Sequence, residues 1–471
     1  MKGPIPVTDL GANVKRAPAS LLARLPMSGA NRRILSATVL VGALTLAVKL
    51  VTMGREVVVA SKLGTGASIE AYIAAWAIPG FLTMITCDAI VGALLPLHAK
   101  ARAVGGEEAG RRVFAESLVI ALAVLGTLTL VLALIPGLLL PIFASNFPPE
   151  KLAMAERLWM IMLPAVALYG IGSIWSGMLN SSSRFGLAAI SPMIVPLVST
   201  IAMLAFPHHA VDALAIGFVL GSALQLGTLA IGMSRHGLGI RPAWYGGLPE
   251  SRSMFRLAGP LIGNGIIFGG IPIVDSAMAA SLGDHQLAIL SYGTRLILPI
   301  MGISSAALAT VVFPYFSRMV AEDRWDEVQG TIRTYTKLIL AFSVPGSVLL
   351  MVFSHHIVAF LFERGAFNAS DTEAVAQIQM ILAMMIPFYA LGVLYSRVVI
   401  SLRKTHLMLL CSGVVFVVNV IADIVLKDLI GINGIAMATV INYALQLTLM
   451  WFITRKMLRQ LSGPNLNLHA I

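Results

Sequence analysis

The sequence predicts an all-α integral membrane protein of about twelve transmembrane helices, arranged as two six-helix lobes related by a pseudo-two-fold axis along the membrane normal. Three observations carry this: an apolar composition, apolar runs of membrane-spanning length along nearly the whole chain, and an internal echo about 219 residues apart. Of 471 residues, 58% are hydrophobic and 12% charged, with a mean hydropathy of +0.87. That is too apolar for a soluble protein, which must cover its surface with polar groups. A helix needs roughly 20 apolar residues to cross a ~30 Å hydrocarbon core, and the runs reach that length with no soluble domain fitting between them.

Charged and Pro/Gly breaks place helices near 35–55, 70–97, 113–140, 154–180, 187–206, 211–233, 254–281, 286–317, 332–361, 374–402, 405–427 and 431–454. The first 33 residues are basic, lack a long apolar core and read as a cytoplasmic tail, not a cleaved signal peptide. The domain plan is then a tail (1–33), a first six-helix lobe (34–240), a cytoplasmic linker (241–253), a second lobe (254–458) and a C-terminal cytoplasmic tail (459–471). Of the 33 Lys and Arg, 24 fall in the tails and even-numbered loops, against five in the odd-numbered loops: Lys62, Lys151, Arg157, Arg364 and Lys427. By the positive-inside rule both termini are cytoplasmic. The net charge of +11 is therefore topological and faces anionic lipid; it implies no nucleic-acid partner.

The echo pairs "ASKLGTGASIEAYIAAWAIPGFLTMITCDAIVGALLPLHAKARA" with "AASLGDHQLAILSYGTRLILPIMGISSAALATVVFPYFSRMVA". In each, a Leu-Gly helix end precedes a long helix with one proline midway (Pro79, Pro299) and another near its end (Pro96, Pro314). "MLNSSSRF" and "VISLRKTH" close the fourth helix of each half at the same offset. Six helices is an even number, so the halves share one orientation, as in alternating-access transporters. Pro79, Pro164, Pro299, Pro345 and Pro387 are hinge or static-kink positions, and Gly265, Gly269 and Gly270 permit close packing of the seventh helix.

Ionisable groups inside spans cost several kcal/mol unless they face a cavity or a partner, which makes each a functional candidate. Here they are Lys49 and Arg55 on the first helix, Glu70 opening the second, Asp88 deep within it, Asp275 on the seventh, Arg295 on the eighth and Arg397 on the tenth. The repeat sets the first two helices opposite the seventh and eighth. Lys49, Arg55 and Arg295 are therefore the expected lining of a central cavity, with Glu70 and Asp88 as its acidic or gating residues. A cationic cavity asks for an anionic cargo. Diphosphate fits, since guanidinium forks bind phosphate oxygens bidentately and an ammonium acts as a point charge.

Catalytic signatures are missing: no HExxH, no GxxxxGK[ST], no GxSxG in a strand-turn-helix setting. Cys87 and Cys411 sit in apolar runs, and the adjacent His208–His209 and His355–His356 cannot share a helix face, so no metal site or cofactor is expected. With no nucleotide-binding loop, transport must draw on ion gradients, membrane potential or substrate turnover, through a coupling ion whose identity the sequence leaves open.

The segment "KLVTMGREVVVASKLGTGASIEAYIAAWAIPGFL" resembles the opening of the MurJ/MviN family of lipid II flippases, in the multidrug/oligosaccharidyl-lipid/polysaccharide flippase superfamily. "MLNSSSRFGLAAISPMI", "GPLIGNGIIFGGIPIVDSAMAASLG", "YGTRLILPIMGISSAALATVVFPYFSR", "LFERGAFNASDT" and "NGIAMATVINYALQL" resemble later family segments in order, covering about residues 33–458. The resemblance implies a bacterial cytoplasmic membrane location and a V-shaped cavity between lobes. It also implies export of an undecaprenyl-diphosphate-linked saccharide by alternating access. It carries the family's cavity arginines onto Lys49, Arg55 and Arg295 and its acidic residue onto Glu70. Lys49 stands where the family has arginine, Glu70 where it has aspartate, Thr83 where an arginine follows the helix-two proline and Gly80 where it has asparagine. The chain also reads as twelve helices where lipid II flippases of the family commonly have two more.

Lipid II and an exopolysaccharide or surface-glycan repeat unit both remain as cargo, with glycan or peptidoglycan synthesis proteins as possible partners. Two other classes compete. A cation-coupled multidrug exporter of the same superfamily requires acidic cavity residues, for which Glu70, Asp88 and Asp275 are available. A non-transporting scaffold for glycan synthases requires dispensable cavity charges and essential cytoplasmic loops.

Overall fold

The computed structural model describes residues 29–308, 312–402 and 404–462. Most of the expected N-terminal tail and the last part of the C-terminal tail lie outside the described residues. Within them the chain is helical, with a single isolated bridge between Arg364 and Phe367. The spans are α1 (Gly29–Leu63), α2 (67–105), α3 (107–134), α4 (Pro149–Met162, continuing after a 43° bend as Pro164–Ser181), α5 (Phe185–Ala205) and α6 (Ala210–Arg235). The second set comprises α7 (Pro249–Ala280), α8 (Gln286–Ala306), α9 (Trp325–Val352), α10 (Ala369–Ser401, interrupted at Met384), α11 (Thr405–Ile430) and α12 (Ile432–Ser462).

Nine described helices are long and apolar enough to span alone, ten with the bent α4 counted. The other two are α3 and α1. Helix runs from Ala67 to Leu134 with non-helical backbone at Gly106, whose φ of 76° only glycine adopts readily, and the chain doubles back there. His98 packs on Phe114 (ring centroids 6.4 Å) and Arg102 pairs with Glu107 across the turn, so α2 and α3 form a hairpin. For its part α1 contains an apolar run over 34–51 with Lys49 as its one charge, and its other charges, Arg55, Glu56 and Lys62, follow that run.

Several boundaries differ from expectation. α2 runs past Pro96 to residue 105, because neighbouring helices and side chains in a bundle re-satisfy the backbone group that a proline frees. The span expected over 286–317 is helical to 308 and again from 312, where Phe313–Ala321 buries Phe316 and Met319; residues 309–311 lie outside the described residues. And α9 starts at Trp325, where Asp326 and Glu327 favour a helix N-terminus.

Packing divides the molecule unevenly. One continuous apolar core joins both lobes at the face where α1 turns into α2: Val59, Ile69 and Trp159 of the first lobe pack in one cluster with Leu287, Tyr292, Phe362 and Ile435 of the second. Toward the basic face it gives way to two separate cores. Leu94, Phe114 and Trp175 centre the first lobe's; Phe316, Leu394 and Val398 centre the second's. The lobes are thus joined at one end and parted at the other, apart from α7, which lies along α2 with Gly265 against Ile85 and Gly269 against Phe81. At the basic face the fully buried Glu116 of α3 accepts from the backbone N–H groups of Gly247 (2.6 Å) and Leu248 (3.1 Å), pinning the linker where α7 begins.

Candidate functional site

Where the shared core ends, α1 and α8 face each other and their charges meet. Arg55 Nη1 donates to Glu56 Oε1 (2.8 Å) and Nη2 to the Tyr72 hydroxyl (3.0 Å), with the guanidinium 5.9 Å from the Tyr72 ring centroid. Arg295 Nη1 pairs with the same Glu56 oxygen, Nη2 donates to Ser291 Oγ (3.2 Å), and its guanidinium lies 5.9 Å from the Tyr292 ring. Each lobe therefore supplies an arginine over a tyrosine, and the tyrosines stand 220 residues apart, the spacing of Pro79 and Pro299. One buried carboxylate serves two guanidinium groups, leaving an excess positive charge. The arginine side chains retain 14% and 26% exposure, so the layer is not sealed.

The sequence-predicted residues do not all come together. Arg55 and Arg295 come together from the two lobes. Lys49 lies about 10 Å along α1, one seven-residue repeat before Glu56 and so on its face. It is exposed, and no hydrogen bond or ion pair joins it to another described residue. Asp88 is exposed on α2 and bonds to neither arginine.

Glu70 belongs elsewhere and lines no cavity. It is fully buried, ion-paired with Lys151 of α4, and accepts from the backbone N–H groups of Leu287 (2.9 Å) and Ala288 (3.3 Å) in the first turn of α8. Lys151 also reaches Asp284 across the lobes (3.0 Å). Around this pair the lobes touch backbone to backbone: Ala366 N donates to Ser61 O (2.8 Å), and the Tyr292 hydroxyl donates to Gly64 O (3.2 Å). Thr65 Oγ1 donates to Asp371 Oδ1 (2.6 Å) and lies 2.9 Å from His285 Nδ1. This is a polar seal on the face opposite the basic loops.

A further cluster lies wholly in the second lobe. Asp275 of α7 stands against Asp423 and Asn419 of α11, and Thr439 of α12 donates to Asp275 Oδ2 (3.1 Å). All but Thr439 are buried. Asp275 Oδ1 and both Asp423 oxygens lack a donor, as follows when acceptors face acceptors. Two carboxyls this close call for a proton or a cation between them, and an all-oxygen donor set suits a hard cation. Among the described residues no three His, Cys, Asp or Glu gather as a multi-acid metal centre.

Sequence reasoning missed Glu56, Lys151, Asp423, Asn419 and Glu116. Two signals were present: an acid directly after Arg55 inside a span, and Asn419 and Asp423 four apart, hence on one face, in an otherwise apolar run.

The profile of a family described as "Lipid II flippase MurJ" matches residues 59–470. The chain belongs to the lipid II flippase MurJ family. Relatives described as probable lipid II flippases MurJ include one from Rhizobium tropici, 26% identical over 411 residues (84% of this chain, 76% of the relative). Another, from Rhizobium meliloti (strain 1021), is 28% identical over 420 residues (85% and 77%). Among solved structures, "Lipid II flippase MurJ, inward closed conformation" superposes with a TM-score of 0.77 at 21% identity, covering 88% of this chain and 87% of that one. An inward-facing multidrug-resistance MATE family transporter of the MOP superfamily reaches 0.71 at 12% identity, covering 91% and 99%. The MurJ family and the MATE transporters thus share this fold; Arg295 lies within the residues the family profile matches, and Arg55 stands four residues before them.

Proposed function

We propose that this protein is a flippase that carries an undecaprenyl-diphosphate-linked saccharide from the cytoplasmic to the outer leaflet by alternating access. The cargo we assign is lipid II, the substrate in the family's name. Both termini then face the cytoplasm, as the distribution of Lys and Arg requires. The observation that carries the reading is the pairing of Arg55 and Arg295, one from each lobe, on the single carboxylate of Glu56. A diphosphate offers more acceptor oxygens and more negative charge than one carboxylate, so it displaces Glu56 and takes both guanidinium forks. Because the arginines sit on different lobes, that exchange changes what holds the lobes together. Lys49, nearer the basic face, meets the phosphates first as a point charge.

Energy enters at Asp275 and Asp423, which in this reading take a proton or a hard monovalent cation. This cluster ties α7 to α11 and α12, while the linker end of α7 is held by Glu116 on the other lobe. The decisive experiment follows transbilayer movement of a fluorescent lipid-linked sugar in vesicles containing wild type, Arg55→Ala or Arg295→Ala. Wild-type rates in both variants would overturn the proposal.

A further inference from the structure

We infer that Lys151 is a positioning residue of the gate on the face opposite the basic loops: it keeps Glu70 charge-compensated so that Glu70 can grip, and release, the N-terminus of α8. The inference rests on the alternating-access reading, since only a protein whose lobes part on this face needs a reversible grip there.

Lys151 occupies a place where lysine is doubly disfavoured. It lies in the first turn of α4, where the helix dipole repels cations, and it is 4% exposed. Three contacts offset this: the Glu70 carboxylate in its own lobe, Asp284 of the second lobe at 3.0 Å, and the Phe147 ring, whose centroid is 3.9 Å from Nζ. Two of the three stay with the first lobe. Glu70 in turn has one partner in its own lobe, Lys151, and two across the interface, the N–H groups of Leu287 and Ala288. Separation of the lobes removes Asp284 from Lys151 and the two N–H groups from Glu70, and leaves the Glu70–Lys151 pair intact. The pair is the travelling half of the latch; Asp284 and the α8 terminus are the keeper.

This assignment is directional, unlike a simple ion pair. An acid must face the α8 N–H donors and the base must stand behind it. Exchanging the charges, as in the double variant E70K/K151E, preserves an ion pair but aims an ammonium at backbone donors.

The test uses full-length protein in proteoliposomes without cargo, with Cys87 and Cys411 replaced by alanine and the buried Ala288 changed to cysteine as reporter. A membrane-impermeant maleimide added at the face opposite the basic loops reads how often the gate opens. Lys151→Met is expected to raise the labelling rate about tenfold and Asp284→Asn about threefold. The exchanged double variant should label at least as fast as Lys151→Met. Restoration of slow labelling by the exchange, or unchanged labelling in Lys151→Met, overturns the assignment. Should Lys151→Met fail to accumulate, the exposed Asp284→Asn decides: faster labelling supports the latch and unchanged labelling overturns it. Because the readout requires no lipid-linked sugar, failure of the transport proposal would show in the flipping assay and not here.

Discussion

Two charged clusters in this bundle are unbalanced in opposite senses. The Arg55–Glu56–Arg295 layer holds two cations on one anion, whereas the Asp275–Asp423 cluster holds two acids and no cation among its described partners. A third cluster, Glu70 with Lys151, pairs one buried acid with one buried base and adds helix N–H donors. Burying charge costs several kcal/mol per ion unless it is compensated, so a deficit inside a membrane protein marks the species that is to arrive. The arginine layer awaits an anion and the aspartate pair a cation or proton. The Glu70–Lys151 pair, already balanced, is suited to holding lobes together.

The comparison is most directly broken at its cationic end. Arg295→Ala should lower the flipping rate about 100-fold, because charge-assisted hydrogen bonds contribute about 1.5–3 kcal/mol each and two are lost. Vesicle flipping of a fluorescent lipid-linked sugar measures it, and a change below threefold would refute an anion-seeking layer. At the anionic end, Asp423→Asn should remove the dependence of transport on the driving cation or pH and slow it about tenfold, as expected for losing one charged ligand. Rates compared in sodium, potassium and stepped pH test this, and retention of the full wild-type dependence would remove the cluster from coupling.

Glu56→Gln sharpens the contrast from the other side. With the competing carboxylate neutralised, diphosphate lipid should bind about tenfold more tightly while its flipping slows, since release now lacks a replacement anion. Equilibrium binding and flipping measured on the same preparation separate these. Weaker binding would mean that Glu56 only orients the arginines. Smallest of all, Lys49→Ala should reduce flipping about threefold, in line with the 0.2–1 kcal/mol of an exposed pair. A loss as large as that of Arg295→Ala would move Lys49 into the primary site.

How much of this was legible in the sequence follows from what each feature depends on. Spans depend on local hydropathy, and apolar runs mark them directly, α1 included, whose run over 34–51 holds Lys49 as its one charge. The two-lobe plan is carried by a repeat spacing, and Tyr72 and Tyr292 preserve it at the site itself. Arg55 and Arg295 are detectable because a cation inside an apolar run is conspicuous. Their shared counterion is not, since Glu56 beside Arg55 looks like local charge pairing and only the fold brings α8 to it. The assignment of Glu70 to a cavity errs for a similar reason. Its partners are Lys151, 81 residues away, and backbone groups of α8, 217 residues away, and no single-chain pattern announces them. Asp423 was within reach, given Asn419 one turn earlier.

The seal on the face opposite the basic loops also contains two glycines that meet the other lobe at bare backbone. A methyl group on Gly365 would lie 2.2 Å from the Ser61 carbonyl oxygen, and one on Gly64 2.6 Å from that of Ala366, with φ near +60° at both. Hydrogen, the smallest substituent, is all this joint admits. Any larger residue at either position acts as a doorstop, propping the molecule toward its other state without touching a single charge, and gives a way to trap that state for study.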